Sequence, residues 1–329
     1  MDCMNKNGEK KLHIVYGDLT LGVYGEDISC IFSYQTGGLE SLVTGGKEWL
    51  YRTPRPTFWR ALTDNDRGSG FHLKSGMWLS ADMFIKCTDI RIRVEDEEIG
   101  FPKAPDNNRY TGNEQAEKIS IEFVYTTISV PSTEVSVTYT VEAEGKIRVD
   151  VHYFGNSALP QLPVFGMRFI MPTKAVSYQY EGLSGETYPD RMAGGVPGIY
   201  TVEGLPVTPY LVPQDCGVHM ETKWLRVYRN TAQSNVNKGV SGKAALSGLQ
   251  FSAVDKNFAF SCLPFTAEEL ENATHMEELP FARRTVVSIL GAVRGVGGIN
   301  SWGADVEKAY HIDAGKDIRY SFSICATDL

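Results

Sequence analysis

Apolar and polar residues alternate along much of this chain. Every second residue from 135 to 143 is valine, tyrosine or alanine, and every second residue from 147 to 153 is isoleucine, valine or tyrosine. A period of two predicts half-buried β-strands, which turn one face toward the core. Gly145 lies between the two segments and tolerates the positive φ that a tight turn requires. The pattern therefore predicts a β-hairpin over residues 135–153.

The same period recurs at residues 119–125 and at residues 318–324. We predict a further pair of strands at residues 251–253 and 258–262, joined by a turn at the polar residues between them. Short strands of this kind, repeated along the whole chain, are typical of antiparallel sheets.

A single helix is predicted, at residues 266–279. Thr266 suits the N-cap position, and Glu269, three residues later, completes a capping box. Leu270 and Ala273 begin an apolar stripe that continues through residues 276–279. Elsewhere 32 glycines and 15 prolines punctuate short strands, and no long helices alternate with them. We therefore predict an all-β fold, a large antiparallel β-sandwich with one short helix, and disfavour a parallel α/β core.

Two polar stretches, at residues 103–118 and 229–245, interrupt the strand pattern. Because similar strands resume after each stretch, we predict long surface loops rather than linkers between domains. The expected organisation is an N-terminal tail at residues 1–11 and a single β-sandwich domain at residues 12–329.

The 329 residues include 32 Lys plus Arg and 40 Asp plus Glu, so the net charge is 32 − 40 = −8. This acidic balance argues against nucleic acid as a partner. No export signal is recognisable in residues 1–17, and no run of about 18 apolar residues predicts a membrane span. We expect a cytoplasmic protein without a membrane partner. The six cysteines lack CxxC spacing, so we expect reduced thiols, with Cys262 and Cys325 buried.

Short matches to ligand-binding motifs fail. Residues 64–66 begin like a calcium loop, but Ser69 and Ser75 occupy the positions of the required glycine and glutamate. The glycines at 295 and 297 lack the third glycine of a dinucleotide-binding loop, and the histidines show no metal-ligand spacing. We predict no metal site on this chain.

Charged residues are interleaved with Phe58 and Trp59 in the run RPTFWRALTDNDRG at residues 55–68. Such a run is costly to bury unless its charges pair, so it predicts a buried or interfacial ion network. A charged turn that stabilises this sandwich alone is the alternative. The run closely resembles the FWRAxxDNDRG signature at the start of the C-terminal sandwich domain of β-galactosidases in the Escherichia-type glycoside hydrolase family two.

Further blocks resemble the same domain in the same order. GLSGETYPDR at residues 182–191 is similar to GxGPxExYPDR, and TPYLVPQD at residues 208–215 is similar to PYxxPQE. GVGGINSWG at residues 295–303 is similar to GxGGDDSW. Together the likeness extends from residue 12 to residue 325.

This chain departs from the family pattern at a few positions. Ile299 and Asn300 replace two acidic residues, and His219 and Lys223 stand where the family often has arginine. The contacts that these residues make with a partner or a substrate are left open by the sequence.

The resemblance implies the small subunit of a heterodimeric β-galactosidase. Both catalytic glutamates of this family lie on a separate (β/α)₈ barrel, and this chain has no barrel pattern. We therefore expect no catalytic residue here, a large subunit as partner, and a galactoside at a shared site. No cofactor is expected on this chain, because the family's Mg²⁺ and Na⁺ are expected on the large subunit. A fragment of a longer enzyme is the alternative, and stoichiometry and linkage preference are left open.

The resemblance also implies roles for individual residues. Trp302 corresponds to a stacking platform for the sugar, with a core tryptophan as the alternative. Residues 69–78, which begin at Ser69, correspond to a mobile active-site loop with Gly68 and Gly70 as its hinges, and a rigid surface loop is the alternative. Structural or interface roles are expected for the following residues: Arg60, Asp64, Asn65, Asp66, Arg67, Glu186, Tyr188, Asp190 and Arg191.

Two other functions stay open at this point. The sandwich topology is shared with galactose mutarotase-like proteins, so a sugar epimerase is one alternative, although no clear pair of His and Glu is apparent. A free-standing carbohydrate-binding module that uses Trp302 or Trp59 is the other.

Overall fold

The computed structural model describes residues 10–230 and 246–327, which form twenty-one strands and three short α-helices. The first strands are β1 (Leu12–Tyr16), β2 (Thr20–Tyr24), β3 (Ile28–Ser33), β4 (Gly38–Thr44), β5 (Lys47–Glu48), β6 (Arg52–Thr57), β7 (Lys86–Val94), β8 (Glu97–Ile99), β9 (Glu114–Ala116), β10 (Lys118–Thr126) and β11 (Glu134–Glu142). The others are β12 (Ile147–Tyr153), β13 (Val164–Met171), β14 (Ser177–Leu183), β15 (Pro197–Glu203), β16 (Val218–Thr222), β17 (Trp224–Arg229), β18 (Ser247–Ala253), β19 (Phe258–Leu263), β20 (Thr285–Val293) and β21 (Ile318–Thr327).

The α-helices are about one turn long. They are α1 (Asp64–Gly68), α2 (Phe71–Ser75) and α3 (Ala267–Asn272). Single 3₁₀ turns occupy Gly76–Trp78, Asp106–Arg109, Met276–Glu278 and Lys308–Tyr310.

The strands form three sheets. Six strands pair in the order β5, β4, β3, β2, β1, β9, and ten pair in the order β15, β14, β17, β18, β21, β12, β11, β10, β7, β8. The remaining five pair in the order β16, β19, β20, β13, β6. The strand β21 thus lies inside the largest sheet, between β18 and β12.

One face of the ten-stranded sheet packs against both smaller sheets. The rings of Phe32 on β3 and Tyr139 on β11 lie 5.5 Å apart, and those of Phe169 on β13 and Phe251 on β18 lie 5.2 Å apart. One buried apolar cluster includes residues of all three sheets. The expected all-β sandwich is confirmed, whereas the extent of the single domain stays a prediction.

The predicted hairpin over residues 135–153 is confirmed. Strands β11 and β12 pair from Val135 opposite Tyr153 to Val141 opposite Ile147. Gly145 has a φ of 83°, as the turn requires. The strands predicted at residues 119–125 and 318–324 are β10 and β21.

The predicted pairing of residues 251–253 with 258–262 is wrong. Both segments are strands, but β18 pairs with β17 and β21, whereas β19 pairs with β16 and β20. The chain therefore crosses from the ten-stranded sheet to the five-stranded sheet between them. Alternation identifies the buried face of a strand but not its partner, which distant segments decide.

The predicted helix at residues 266–279 is shorter than expected. Its capping box is confirmed, because Thr266 accepts from the N–H of Glu269 and the Glu269 carboxylate accepts in return. The helix ends at Asn272, because Ala273 is extended, with φ −83° and ψ 127°. The expectation of one helix is also wrong, because α1 and α2 form as well. With five residues each, they are too short to show a helical period in the sequence.

The first predicted surface loop and the expectation for one cysteine also need correction. Within residues 103–118 the strand β9 pairs with β1 at the edge of the six-stranded sheet. Residues 231–245 lie outside the described residues, so the loop prediction is untested there. Cys262 is buried, but Cys325 is partly exposed on β21, which corrects the second expectation.

Candidate functional site

Trp302 lies on the segment that connects β20 to β21 and is 93% exposed. The alternative that this tryptophan belongs to the core is therefore wrong. The side-chain oxygen of Asn300 accepts hydrogen bonds from the N–H groups of Trp302 at 2.9 Å and Ala304 at 3.3 Å. Asn300 thus closes the turn that presents the indole, and its neighbour Ile299 is exposed as well.

Side chains from two other segments, residues 60–65 and 190–191, hold residues 295–297, which we call the loop base. Arg60 donates to the carbonyl of Gly295 at 3.2 Å, and Asn65 donates to the carbonyl of Val296 at 2.9 Å. The Asp190 carboxylate accepts from the N–H of Val296 at 3.0 Å and from that of Gly297 at 2.8 Å.

The remaining polar groups of the loop base are also paired. Arg191 donates to the carbonyl of Gly297, and the N–H of Gly295 donates to the carbonyl of Tyr310 at 3.0 Å. Every backbone N–H and C=O group from residue 295 to residue 297 therefore has a partner, which is the usual condition for a buried loop.

Glycines allow this close approach. A Cβ atom at Gly295 would lie 2.8 Å from the carboxyl carbon of Asp190, and one at Gly303 would lie 2.6 Å from the carbonyl oxygen of Gly68. Gly303 also has a φ of 77°, a region that side chains rarely adopt. Gly68 at the end of α1 therefore touches the segment that carries Trp302.

A buried ion network lies beneath the loop base. The Asp66 carboxylate accepts from Arg60 at 2.7 Å and from Arg294 at 3.2 Å, and all three residues are almost fully buried. Arg294 also pairs with Asp305, and this bond helps to lower the pKa of Asp305 although burial opposes it. The structure therefore agrees with the predicted buried network, and residues 60–66 and 294–305 join through it.

The helix α1 positions Asp66 because of its sequence at the N-terminus. The Thr63 hydroxyl accepts from the N–H of Asp66, and the Asp66 carboxylate accepts from the N–H of Thr63, which forms a capping box. Asp64 is exposed and pairs with half-buried Arg67 at 3.4 Å, while its N–H donates to Gln214 at 2.9 Å.

The segment of residues 69–78 forms α2 and a 3₁₀ turn that are anchored at both ends. Phe71 is buried 4.0 Å from the Arg294 guanidinium, and the indole N–H of buried Trp78 donates to Pro160 at 3.1 Å. Between these anchors Leu73 is 81% exposed. Ser69 is partly buried, and Gly70 has a φ of 69° before α2. The expected mobility of this segment stays a prediction.

A cleft of about 460 Å³ adjoins the loop base and is lined by residues of all four sequence blocks. Its carboxylates include Asp215, which accepts from the Tyr188 hydroxyl at 2.9 Å, and exposed Glu186, which accepts from Thr208 at 2.8 Å. Burial raises the pKa of Asp215 to about 6, although Arg60 and the bond from Tyr188 oppose the rise.

Sequence reasoning missed Asp215, Gln214, Arg294 and Asp305 as members of this cluster. Three of them stand inside or beside a recognised block, since Gln214 and Asp215 end the third block and Arg294 precedes the fourth. Position alone gave no sign that Arg294 is buried against Asp66. The expected residues Arg60, Asn65, Asp66, Tyr188, Asp190 and Arg191 are brought together, and Asp64, Arg67 and Glu186 lie at the exposed side.

The departures His219 and Lys223 face different surroundings. His219 is buried, with Nδ1 2.7 Å from the carbonyl of Gly185 and Nε2 3.2 Å from the Tyr178 hydroxyl. Burial lowers the pKa of His219 to about 4. Lys223 is exposed and pairs with Glu181 at 2.6 Å. Both residues therefore have partners within this chain.

The described residues contain no group of three or more His, Cys, Asp or Glu side chains that could hold a metal ion. Among the helices of residues 10–230 and 246–327, none has the length and apolar character needed to cross a membrane.

A family described as the β-galactosidase small chain matches residues 24–324. The chain belongs to the β-galactosidase small chain family. As a member of this family it functions as part of a β-galactosidase.

Relatives of this small chain include both separate subunits and longer enzymes. The β-galactosidase small subunit of Latilactobacillus sakei is 59% identical over 319 residues, which cover 97% of this chain and 99% of that protein. A β-galactosidase of Streptococcus thermophilus is 31% identical, over 95% of this chain and 27% of that protein. A β-galactosidase of Halalkalibacterium halodurans is 32% identical, over 97% of this chain and 29% of that protein. The small chain thus spans less than a third of these two longer relatives.

Some solved structures resemble this chain at low identity. A putative aldose 1-epimerase from Escherichia coli K12 has a TM-score of 0.45 and 11% identity, over 94% of the small chain and 98% of that chain. A galactose mutarotase-like protein from Lactobacillus casei has a TM-score of 0.40 and 9% identity, over 94% and 100% of the two chains. Likenesses this distant say nothing about activity.

Proposed function

We propose that this small chain completes the galactoside site of a two-chain β-galactosidase whose catalytic carboxylates lie on the large subunit. The observation that carries the proposal is Trp302, an almost fully exposed indole on a braced loop. An indole face packs well against the C–H face of a pyranose, and the loop base holds it without any large rearrangement.

The length of the relatives supports the division between two chains. The relatives from Streptococcus thermophilus and Halalkalibacterium halodurans, both called β-galactosidases, are more than three times as long as the matched region. The Latilactobacillus sakei small subunit has the length of this chain. A barrel subunit would therefore supply the remaining part, including the two glutamates of a retaining glycosidase and the Mg²⁺ and Na⁺ ions.

The surface beside Trp302 suits contact with another chain. Leu73, Met77 and Leu79 are exposed on the segment that begins at the contact between Gly68 and Gly303. Clustered exposed apolar side chains mark interaction surfaces. We assign this face to the large subunit, and we place the assembled enzyme in the cytoplasm, which the reduced thiols of Cys30, Cys87, Cys216 and Cys262 support.

The proposal predicts the activity of separated and mixed subunits. The purified small chain is expected to show no hydrolysis of lactose or of a chromogenic aryl β-D-galactoside, and mixing with the large subunit restores it. In the mixture Trp302→Ala is expected to weaken kcat/KM by about 1 to 3 kcal/mol, because the stacking face is lost.

Trp302→Phe is the matched control, since it keeps an aromatic face and should retain most of the activity. Hydrolysis by the small chain alone would contradict the division of labour. Unchanged kinetics for Trp302→Ala would remove this residue from the sugar site, and mutarotation of galactose by the isolated chain would favour the epimerase alternative.

A further inference from the structure

We propose that Asp190 is a positioning residue, which fixes the loop base so that Trp302 is held in place before the substrate binds. The inference rests on the proposed function in one respect, namely that the Trp302 ring meets the sugar. The geometry of the loop base supports it independently of any substrate.

Side chains hold the backbone of the loop base. Backbone hydrogen bonds between strands normally hold a loop in place. Here the side chains of Arg60, Asn65 and Asp190 form hydrogen bonds with backbone groups of residues 295–297. Asp190 alone accepts from two consecutive N–H groups, those of Val296 and Gly297. Hydrogen bonds to an ionised acceptor are shorter and stronger than neutral ones. Asp190 is therefore the principal acceptor at the loop base.

Without Asp190, other backbone conformations are open to the loop. Gly297 and Gly298 have φ angles of +70° and +79°. Glycine adopts these angles easily but is not restricted to them. Glycine loses more conformational freedom on ordering than any other residue. Contacts with other residues must therefore order the loop. Asp190 accepts from the N–H of Gly297, and Arg191 donates to the carbonyl of the same residue.

The loop base also sets the position of the indole. Trp302 itself makes few contacts, since it is almost fully exposed, and its backbone N–H is held by Asn300 within the same loop. Its position relative to the rest of the chain is thus set at the loop base and at the contact of Gly303 with Gly68. A ring that is ordered in advance spares the substrate the cost of ordering it.

Asp190→Asn is the informative substitution because it keeps the size of the side chain. The amide of asparagine places an N–H₂ group where one carboxylate oxygen accepted, and it removes the negative charge. In the assembled two-chain enzyme we expect KM for the aryl galactoside to rise about ten-fold or more, with a smaller change in kcat, because substrate must order the ring.

A spectroscopic measurement follows the ring itself. The tryptophan anisotropy decay of each enzyme is compared with that of its Trp302→Phe counterpart, so that the difference reports Trp302. The full-length Asp190→Asn chain is expected to gain a fast depolarising component that the parent lacks. An unchanged decay overturns the positioning role. A changed decay with unchanged KM overturns its link to catalysis and contradicts the placement of Trp302 at the sugar.

Two further variants separate positioning from general damage. Asp18→Asn is the matched control, because Asp18 also holds a loop by accepting from a backbone N–H, that of Ala104 at 2.8 Å, in another part of the fold. It should leave KM and the decay unchanged. Arg191→Ala removes the donor to Gly297 and should raise KM as Asp190→Asn does. Arg191→Lys keeps a charged donor on an exposed side chain and should retain most of the parent's behaviour. If Asp18→Asn and Asp190→Asn behave alike, the proposal is wrong.

Discussion

Single side chains of this protein connect segments that are far apart in the sequence. Asp66 joins Arg60 of its own block to Arg294, more than two hundred residues away, and Asp190 reaches Val296 across more than a hundred. Burying such charges costs free energy unless every partner is present. The four sequence blocks therefore depend on one another at the level of individual atoms.

The stability of the chain is expected to depend on pH through Asp215. Because burial raises its pKa to about 6, the folded chain keeps a proton that the unfolded chain has already lost, so stability falls as pH rises from about 4 to about 6. Asp215→Asn removes this ionisation and keeps an acceptor for Tyr188. At pH 8 we expect the variant to be more stable by about 1 to 3 kcal/mol, measured by urea unfolding.

His219 acts in the opposite direction over a similar range. Its pKa is lowered to about 4 by burial, so the stability that its neutral form supports is lost as pH falls from about 6.5 toward 4. The Asp215→Asn chain should therefore show a steeper rise of stability between pH 4 and 6 than the parent. Asp255→Asn, at an exposed turn, is the control for the change of charge. A parallel pH profile for the parent and Asp215→Asn would contradict the raised pKa.

Elements formed by local sequence were predictable, and elements chosen by distant partners were not. The hairpin of β11 and β12 follows from alternation and Gly145, which neighbours in the chain supply. The separation of β18 from β19 depends on the distant strands β21 and β20 with which they pair, and alternation carries no information about that. The same holds for the site, where the blocks were recognised but the placement of Arg294 under the loop base was not.

The capping box of α3 should contribute measurably to stability. Glu271 of this short helix accepts from the indole N–H of Trp59 at 3.3 Å and from the N–H of Leu62 at 2.7 Å, so the helix braces the segment that leads to α1. Thr266→Ala removes the N-cap acceptor and is expected to cost about 0.5 to 2 kcal/mol in urea unfolding. Thr266→Ser keeps the hydroxyl and should cost much less. Equal losses for the two variants would assign the effect to packing of the methyl group.

At the scale of the whole molecule, the three sheets enclose one buried apolar cluster, and the face that we assign to the large subunit includes exposed apolar residues. The ten-stranded sheet supports both smaller sheets, while the segment from α2 onward and the loop of Trp302 meet where Gly68 touches Gly303. Binding surfaces are commonly formed by connections that a rigid scaffold of sheets positions.

Association with the large subunit is expected to depend on this face. Leu73→Asp places a charge on an apolar side chain that is 81% exposed, so the folded chain should be as stable as the parent but should bind the large subunit at least about ten-fold more weakly. Leu19→Asp changes a leucine that is 63% exposed before β2 and is the matched control. Binding is measured by titration of one labelled subunit with the other. Equal affinity for the two variants would place the interface elsewhere.

The central position of β21 has a consequence for synthesis on the ribosome. This strand is made after all its neighbours, yet it fills the gap between β12 and β18. Until residues 318–327 emerge, a nascent chain exposes two unpaired strand edges, which other nascent chains could join. Closure of the largest sheet is therefore a late event, and premature termination upstream of β21 leaves a product prone to aggregate rather than a smaller folded protein.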